Sequence, residues 1–452
     1  MFASLTPWLS EEAAVMSCVK AELALIKAHL EIRDALTPSL KEKLENTSAS
    51  ISADEVYKEE EKTRHNIRAL VNVLKGKVPP DVAHLVHLGA TSVDILDTAL
   101  SFRIKGVSQE VVIPLLKKLE LLLCDFADKT AELPQVGRTH GQHAVPITLG
   151  FAISEYVSRL GKSILEIIRL SQNLKGKLAG AVGAYNATSL IVQDPEDLEK
   201  RYLSELGLEP SEHSTQLVEP EYLLRLLLEY NVAFGIIANL ADDLRNLQRS
   251  EIGELREGFA DEQVGSSTMP QKRNPWNSEH VKSLWKAFMP RATTFFMDQI
   301  SEHQRDLTNS ASQRFVADYV TGFCLAVSRM ISVIEGLGAD KEKLLKNLRG
   351  SSGGVMAESA YILLSESGVS DAHEVIRRLT LNAEKEKISF SSALVREEEV
   401  FKAIAEKLTE LKLVNTVEDA LSFFENPERY CGLSVKKAKS ISAKYKKLMM
   451  AD

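Results

Sequence analysis

The chain holds 452 residues, 44% hydrophobic and 26% charged, an ordinary globular composition with apolar material for several cores. Against 55 Lys and Arg stand 63 Asp and Glu, a formal net charge of −8 that argues against nucleic acid or an anionic membrane as a general partner. Cys18, Cys124, Cys324 and Cys431 lie far apart with no Cys-x-x-Cys spacing, and Met1-Phe2-Ala3-Ser4 is not the basic-then-apolar start of a signal peptide, so a cytoplasmic protein with reduced thiols is expected.

Helical periodicity runs along the chain, with no sustained period-two alternation and no internal repeat, so an all-α protein is expected. Three parts are predicted: an N-terminal helical domain (1–95) of shorter helices, a central long-helix domain (96–345) and a C-terminal helical domain (346–452) opened by Gly350-Ser351-Ser352-Gly353-Gly354. Within the first, Thr63-Arg64-His65-Asn66 taken alone reads about equally as a site segment or as a solvated helical face. At its end comes Val86-His87-Leu88-Gly89-Ala90-Thr91-Ser92. There Gly89 allows a tight bend, and Thr91 and Ser92 set hydroxyls and backbone donors at a helix start, either an ordinary cap or an anion site.

In the central part, Gly137-Arg138-Thr139-His140-Gly141-Gln142-His143-Ala144-Val145-Pro146 is predicted as a loop between a helix ending near Leu133-Pro134 and one beginning after Pro146. An imidazole gives or takes a proton near neutral pH, and beside Arg138 and Thr139 it suits acid–base work better than capping. Ile153, Tyr156, Val157, Leu160, Ile164 and Ile167 continue a helical pattern through residues 151–178. Most of 222–255 reads as one helix, roughly 50 Å long at 1.5 Å per residue. Its stretch 222–241 looks membrane-like, but Arg225, Glu229, Asn231 and Asn239 fit a helix buried on all sides, partly by other subunits. Residues 310–337 repeat the pattern.

Between these helices lies Gly265-Ser266-Ser267-Thr268-Met269-Pro270-Gln271-Lys272-Arg273-Asn274-Pro275. Pro270 and Pro275 each remove a backbone donor and push the preceding residue out of the α region, so the segment cannot be helical. Its N–H groups, two Ser hydroxyls and Lys272 are free to face an anion. Farther on, Arg305, Ser310 and Arg314 suit either bidentate phosphate binding or a salt-bridged surface. His84 with His87, and His140 with His143, have a spacing zinc could use. No His-Glu-x-x-His pattern and no nearby cysteine accompanies them, so no metal is expected. Dinucleotide and P-loop patterns are absent, so no cofactor is expected either.

The 265–275 segment resembles the signature G-S-S-x-M-P-x-K-x-N-P of the fumarase/aspartase superfamily at all eight specified positions. Residues 87–98 are similar to the H-x-G-x-T-S-x-D-x-x-D-T segment of its adenylosuccinate lyase family, and residues 305–314 to that family's R-D-x-x-x-S-x-x-x-R. The resemblance covers nearly the whole chain. It implies a three-part fold whose long central helices, from four subunits, form one bundle, with active sites shared between subunits of a homotetramer. It implies β-elimination of fumarate from a succinylated nucleotide, with Ser266 as base, His140 as acid, Glu279 as that histidine's carboxylate partner, and Lys272 and Asn274 neutralising the carbanion. It further implies substrate contacts from Arg64, His65, His87, Thr91, Ser92, Gln216, Ser267, Met269, Arg305, Ser310 and Arg314. Three positions depart from the family pattern, all in the nucleotide half. The N-terminal Arg-Tyr is missing, Asn66 stands where Asp is usual, and Leu217-Val218-Glu219-Pro220-Glu221 replaces a basic stretch after Gln216. A lyase for another N-substituted aspartate, a carboxymuconate cycloisomerase and a catalytically silent helical scaffold are the alternative expectations.

Overall fold

The computed structural model describes residues 2–260 and 262–451. The described residues are mainly helical, with one real hairpin and two minimal two-residue pairings, so the all-α expectation holds. Contacts divide the chain into two compact units, each assembled from three separate stretches. The first takes Met1–Lys117, Lys162–Ile237 and His280–Arg329; the second takes Lys118–Gly161, Ala238–Glu279 and Met330–Asp452. Every boundary falls inside a helix: Ile113–Lys129, Leu149–Gln172, Glu221–Leu247, Trp276–Phe288 and Val316–Glu335.

In the first unit, Ser10 starts the Glu11–Glu31 helix by accepting from the Ala13 N–H at 3.0 Å, and Glu11 and Glu12 complement the dipole of its first turn. That helix buries Val19, Leu23, Leu25 and Ile26 and packs against the Ser92–Val107 helix. Deeper in this unit, Phe323 stacks on Tyr230 at 5.3 Å and tilts against Phe234 at 5.4 Å. Each such buried side chain contributes roughly 1.5–3 kcal/mol. In the second unit, Leu348, Met356, Leu364, Phe390, Leu394 and Phe424 form a core that also receives Val136.

Four local expectations are corrected. Residues 134–148 form a β-hairpin rather than a loop between helices: Pro134–Thr139 pairs antiparallel with Gln142–Thr148, and the preceding helix ends at Lys129. The 151–178 helix stops at Gln172, and Lys175-Gly176 then pairs with Glu209-Pro210. The 222–255 helix ends at Leu247, where Gly253, at φ 62°, turns its N–H to the Arg249 carbonyl. The N-terminal part, where shorter helices were expected, holds a 21-residue helix, Glu11–Glu31, one residue longer than the central Val316–Glu335. Among the described residues two helices are long and apolar enough to cross a membrane, Glu221–Leu247 and Ser312–Glu335, and 56% and 61% of their apolar windows are buried inside the chain.

Candidate active site

The hairpin in the second unit carries His140. Thr139 faces Gln142 in the ladder, leaving His140-Gly141 as a two-residue turn with φ 54° and 76°. Both central residues of such a turn need positive φ, which glycine accepts freely and histidine more readily than most side chains. His140 therefore stands exposed at the tip of a rigid ribbon. Its base is clamped by Glu254, fully buried, which accepts from Arg138 at 2.5 and 3.1 Å, Gln135 at 2.7 Å and Asn347 at 2.8 Å. Partial burial, then the nearby Arg138 cation, hold the imidazole of His143 below its ordinary pKa.

The signature segment is likewise in the second unit, as the expected non-helical loop. A Cβ on Gly265 would lie 2.2 Å from the Lys272 carbonyl oxygen, so only glycine lets the two ends of the loop meet. Asn274 closes the same neck, donating to the Gly265 carbonyl at 3.1 Å. Ser266 Oγ accepts from the Met269 N–H at 3.1 Å and the Thr268 N–H at 3.4 Å, and such donors favour negative charge on that oxygen. Ser267, Met269 and Lys272 are exposed. Glu279, also exposed, lies in the first turn of Trp276–Phe288. The same turn is capped by Glu257, which accepts from the N–H and hydroxyl of Ser278. Met269, Lys272, Asn274 and Glu279 line one chamber; Ser266, Ser267 and His140 do not.

In the first unit, Thr91 begins the Ser92–Val107 helix, and its N–H donates to Asp94 at 2.7 Å. Asp94 is fully buried, pairs with the equally buried Lys177 and takes the Gly180 N–H at 3.3 Å. The turn bearing Thr91 and Ser92 is thus tied to the 177–180 strand of chain. Beside it, His87 adopts φ 60°, and buried Glu22 takes its Nδ1 at 2.7 Å and its backbone N–H at 3.0 Å. With Nδ1 donating to a carboxylate, Nε2 of the neutral ring is the acceptor left for a ligand.

The rest of the first-unit set falls in two groups. Arg64 ends one helix in the left-handed conformation at φ 51°, and exposed His65 caps the next, so Thr63-Arg64-His65-Asn66 is a helix junction and not a helical face. Arg305 donates to Gln216 at 2.9 Å, while its buried Nε has no partner among the described residues. Arg305, Ser310, Arg314 and Asn66 line a second cavity of about 510 Å3, whereas His87, Thr91, Ser92, Arg64, His65 and Gln216 do not. Asp97 borders it too, its carboxyl pushed up to about 6 by burial despite the Val218 N–H at 3.1 Å. Sequence reasoning missed Glu22, Lys177 and Glu254. The available signal was a lone charge in an apolar or glycine-flanked run, as in Ala21-Glu22-Leu23 and Gly176-Lys177-Leu178. Among the described residues no group of His, Cys, Asp and Glu could hold a metal ion.

Residues 4–287 match a family model described as lyase, and residues 301–417 match one described as adenylosuccinate lyase C-terminal. The chain is 32% identical to adenylosuccinate lyase of Pyrococcus abyssi over 93% of its own length and 94% of that protein's. It is 32% identical to adenylosuccinate lyase of Methanocaldococcus jannaschii over 94% of its length and 90% of the other's. In fold it is similar to 3-carboxy-cis,cis-muconate lactonizing enzyme from Pseudomonas putida (TM-score 0.83, 22% identity, 99% and 98% of the two chains covered). Fumarate lyase from Mesorhizobium is similar as well (TM-score 0.81, 20% identity, 98% and 97% covered). With both halves matched by these lyase models and nearly its whole length shared with such relatives, the chain belongs to the adenylosuccinate lyase family.

Proposed function

We propose that this protein is an adenylosuccinate lyase, releasing fumarate from adenylosuccinate to leave AMP and from succinyl-aminoimidazole-carboxamide ribotide in purine biosynthesis. The observation that carries this reading is the signature loop, whose neck at Gly265, Lys272 and Asn274 holds the Ser266 oxygen among backbone donors. In the reaction, Ser266 removes the proton from the carbon beside a succinyl carboxylate, and its loop N–H groups stabilise the alkoxide it needs to be. Charge then moves onto that carboxylate, where Lys272 and Asn274 meet it. His140, partnered by Glu279, protonates the departing nitrogen, and the C–N bond breaks as the carbon–carbon double bond forms. Thr91 and Ser92 hold a succinyl carboxylate; Ser267 and Met269 contact the same end. Arg64, His65, His87, Gln216, Arg305, Ser310 and Arg314 take the nucleotide side, and the unpartnered Nε of Arg305 is a donor in want of a phosphate oxygen.

We further propose a cytoplasmic homotetramer whose active sites draw on several subunits. Val232, half-exposed on the Glu221–Leu247 helix, whose apolar window is only 56% buried within the chain, is the kind of surface a second copy would cover. Turnover of adenylosuccinate, followed by loss of its ultraviolet difference band on material sized by light scattering, tests both statements. A tetramer without turnover removes the substrate; an active monomer removes the assembly. A second reading, a lyase for another N-substituted aspartate, is favoured by one local feature. Where a basic stretch was expected, Glu219 is held by the Ser211 hydroxyl at 2.6 Å. Fumarate release from argininosuccinate or an aspartate–amine adduct, and none from adenylosuccinate, would establish it.

A further inference from the structure

Within the second unit, residues 269–275 form one wall of a chamber of about 1200 Å3. Arg245, Arg249, Arg256, Lys272, Arg273 and Lys343 line it, against a single carboxylate, Glu279. Two of these cations are answered by acids, Arg245 by Asp242 at 3.0 Å and Arg256 by Asp340 at 3.4 Å. Among the described residues no carboxylate pairs with the other four, and Arg273 lies instead over the Phe259 ring at 4.8 Å. Like charges repel, and in a chain of net charge −8 there are acids enough to pair them. A concave wall of one sign focuses its field on whatever anion enters. Guanidinium forks and ammonium groups match the oxygens of carboxylate and phosphate alike. The volume exceeds that of most small-molecule sites, leaving room for an anion with some of its water.

We infer that this chamber is a binding site for a small oxyanion bearing at least two negative charges, held between Arg273 on the loop, Arg249 just past the end of Glu221–Leu247 and Lys343 in the first turn of Lys341–Arg349. Its lining includes Met269, Lys272, Asn274 and Glu279 of the proposed elimination machinery but neither Ser266 nor His140, so the anion site adjoins that machinery and rests on Arg249, Arg273 and Lys343, to which the elimination assigns no role. An anion seated there bridges the signature loop to the end of Glu221–Leu247 and the first turn of Lys341–Arg349.

Calorimetric titration of the full-length protein at low ionic strength, with inorganic phosphate and with fumarate as separate probes, tests this. Arg249→Gln/Lys343→Gln should weaken one class of site at least about 100-fold, tenfold for each charge-assisted contact, while saturated turnover stays at the wild-type value. Loss for both probes supports a general oxyanion site; loss for fumarate alone or phosphate alone supports it and names its ligand. Arg249→Lys/Lys343→Arg, which keeps both charges, should bind within a few-fold of wild type. Neither probe binding, equal binding by the neutral double variant, or equal loss in the charge-keeping one overturns the inference. Binding is read without any substrate, so an inactive protein that binds these anions would sink the elimination reading alone.

Discussion

Ser266 and His140 owe their placement to backbone more than to side-chain contacts. The serine oxygen faces N–H groups of its own loop, and the histidine rides a turn that forces φ to 54°. Arg64 and His87 share that left-handed conformation, which costs a non-glycine residue roughly 1–2 kcal/mol and persists only where surroundings enforce it. Ser266→Ala and His140→Ala should each lose at least about 100-fold in turnover, the low end of acid–base contributions, with folding unchanged because neither side chain is buried. Steady-state rates on the two variants check this, and a near-normal rate strips that residue of its role. These positions were readable in the sequence because residue type and short spacing carry their chemistry. Their supports were not: Glu22 lies 65 residues from His87, and Glu254 lies 116 from Arg138. Chain order says nothing about which distant carboxylate folds back onto a motif.

The Ser92–Val107 helix illustrates how an element inherits function from its start. Glycine followed by two hydroxyl residues announced a helix N-terminus, and the helix begins there. What pins it, the buried Asp94–Lys177 pair, spans 83 residues and left no local trace. Lys177→Met strands Asp94 as an unpaired buried charge and should cost about 3–5 kcal/mol in denaturant unfolding. Asp94→Asn/Lys177→Met should recover most of that stability yet keep a raised KM, since Thr91 has lost its carboxylate; a double variant with normal KM would make the pair merely structural. The hairpin at 134–148 was illegible for a different reason. In its first strand the buried residues Gln135, Val136 and Gly137 run consecutively rather than alternating, and its turn is His-Gly instead of the usual Asn-Gly. The overlong reading of the 222–255 helix has a simpler cause: no proline or glycine intervenes between Leu247 and Gly253 to mark the end.

Across the whole molecule, each unit holds an acid whose carboxyl is pushed up by loss of water around it: the partly buried Asp97 in the first, to about 6, and the fully buried Glu120 in the second, well above the ordinary range. Neither oxygen of Glu120 has a hydrogen-bond partner among the described residues. A raised carboxyl makes the folded state hold its proton longer than the unfolded chain does, so the stabilisation is full below the unfolded pKa and fades as pH rises through the folded one. For Asp97 that window runs from about 4 to about 6, and the effect is on the order of 3 kcal/mol. Denaturant midpoints at fixed protein concentration should fall less steeply across this window in Asp97→Asn, and Glu120→Gln should gain on wild type as pH rises. Parallel curves for variant and wild type would show that these acids titrate alike folded and unfolded. The division into units has a consequence for biosynthesis. Because the first unit needs chain as late as Arg329 and the second begins at Lys118, a nascent polypeptide released only to Ile237 completes neither. Its apolar Glu221–Leu247 segment emerges before the Val316–Glu335 helix whose Phe323 packs on Tyr230 and Phe234, so that face of the newborn chain stays uncovered, and open to chaperones, until nearly three-quarters of the chain has been translated.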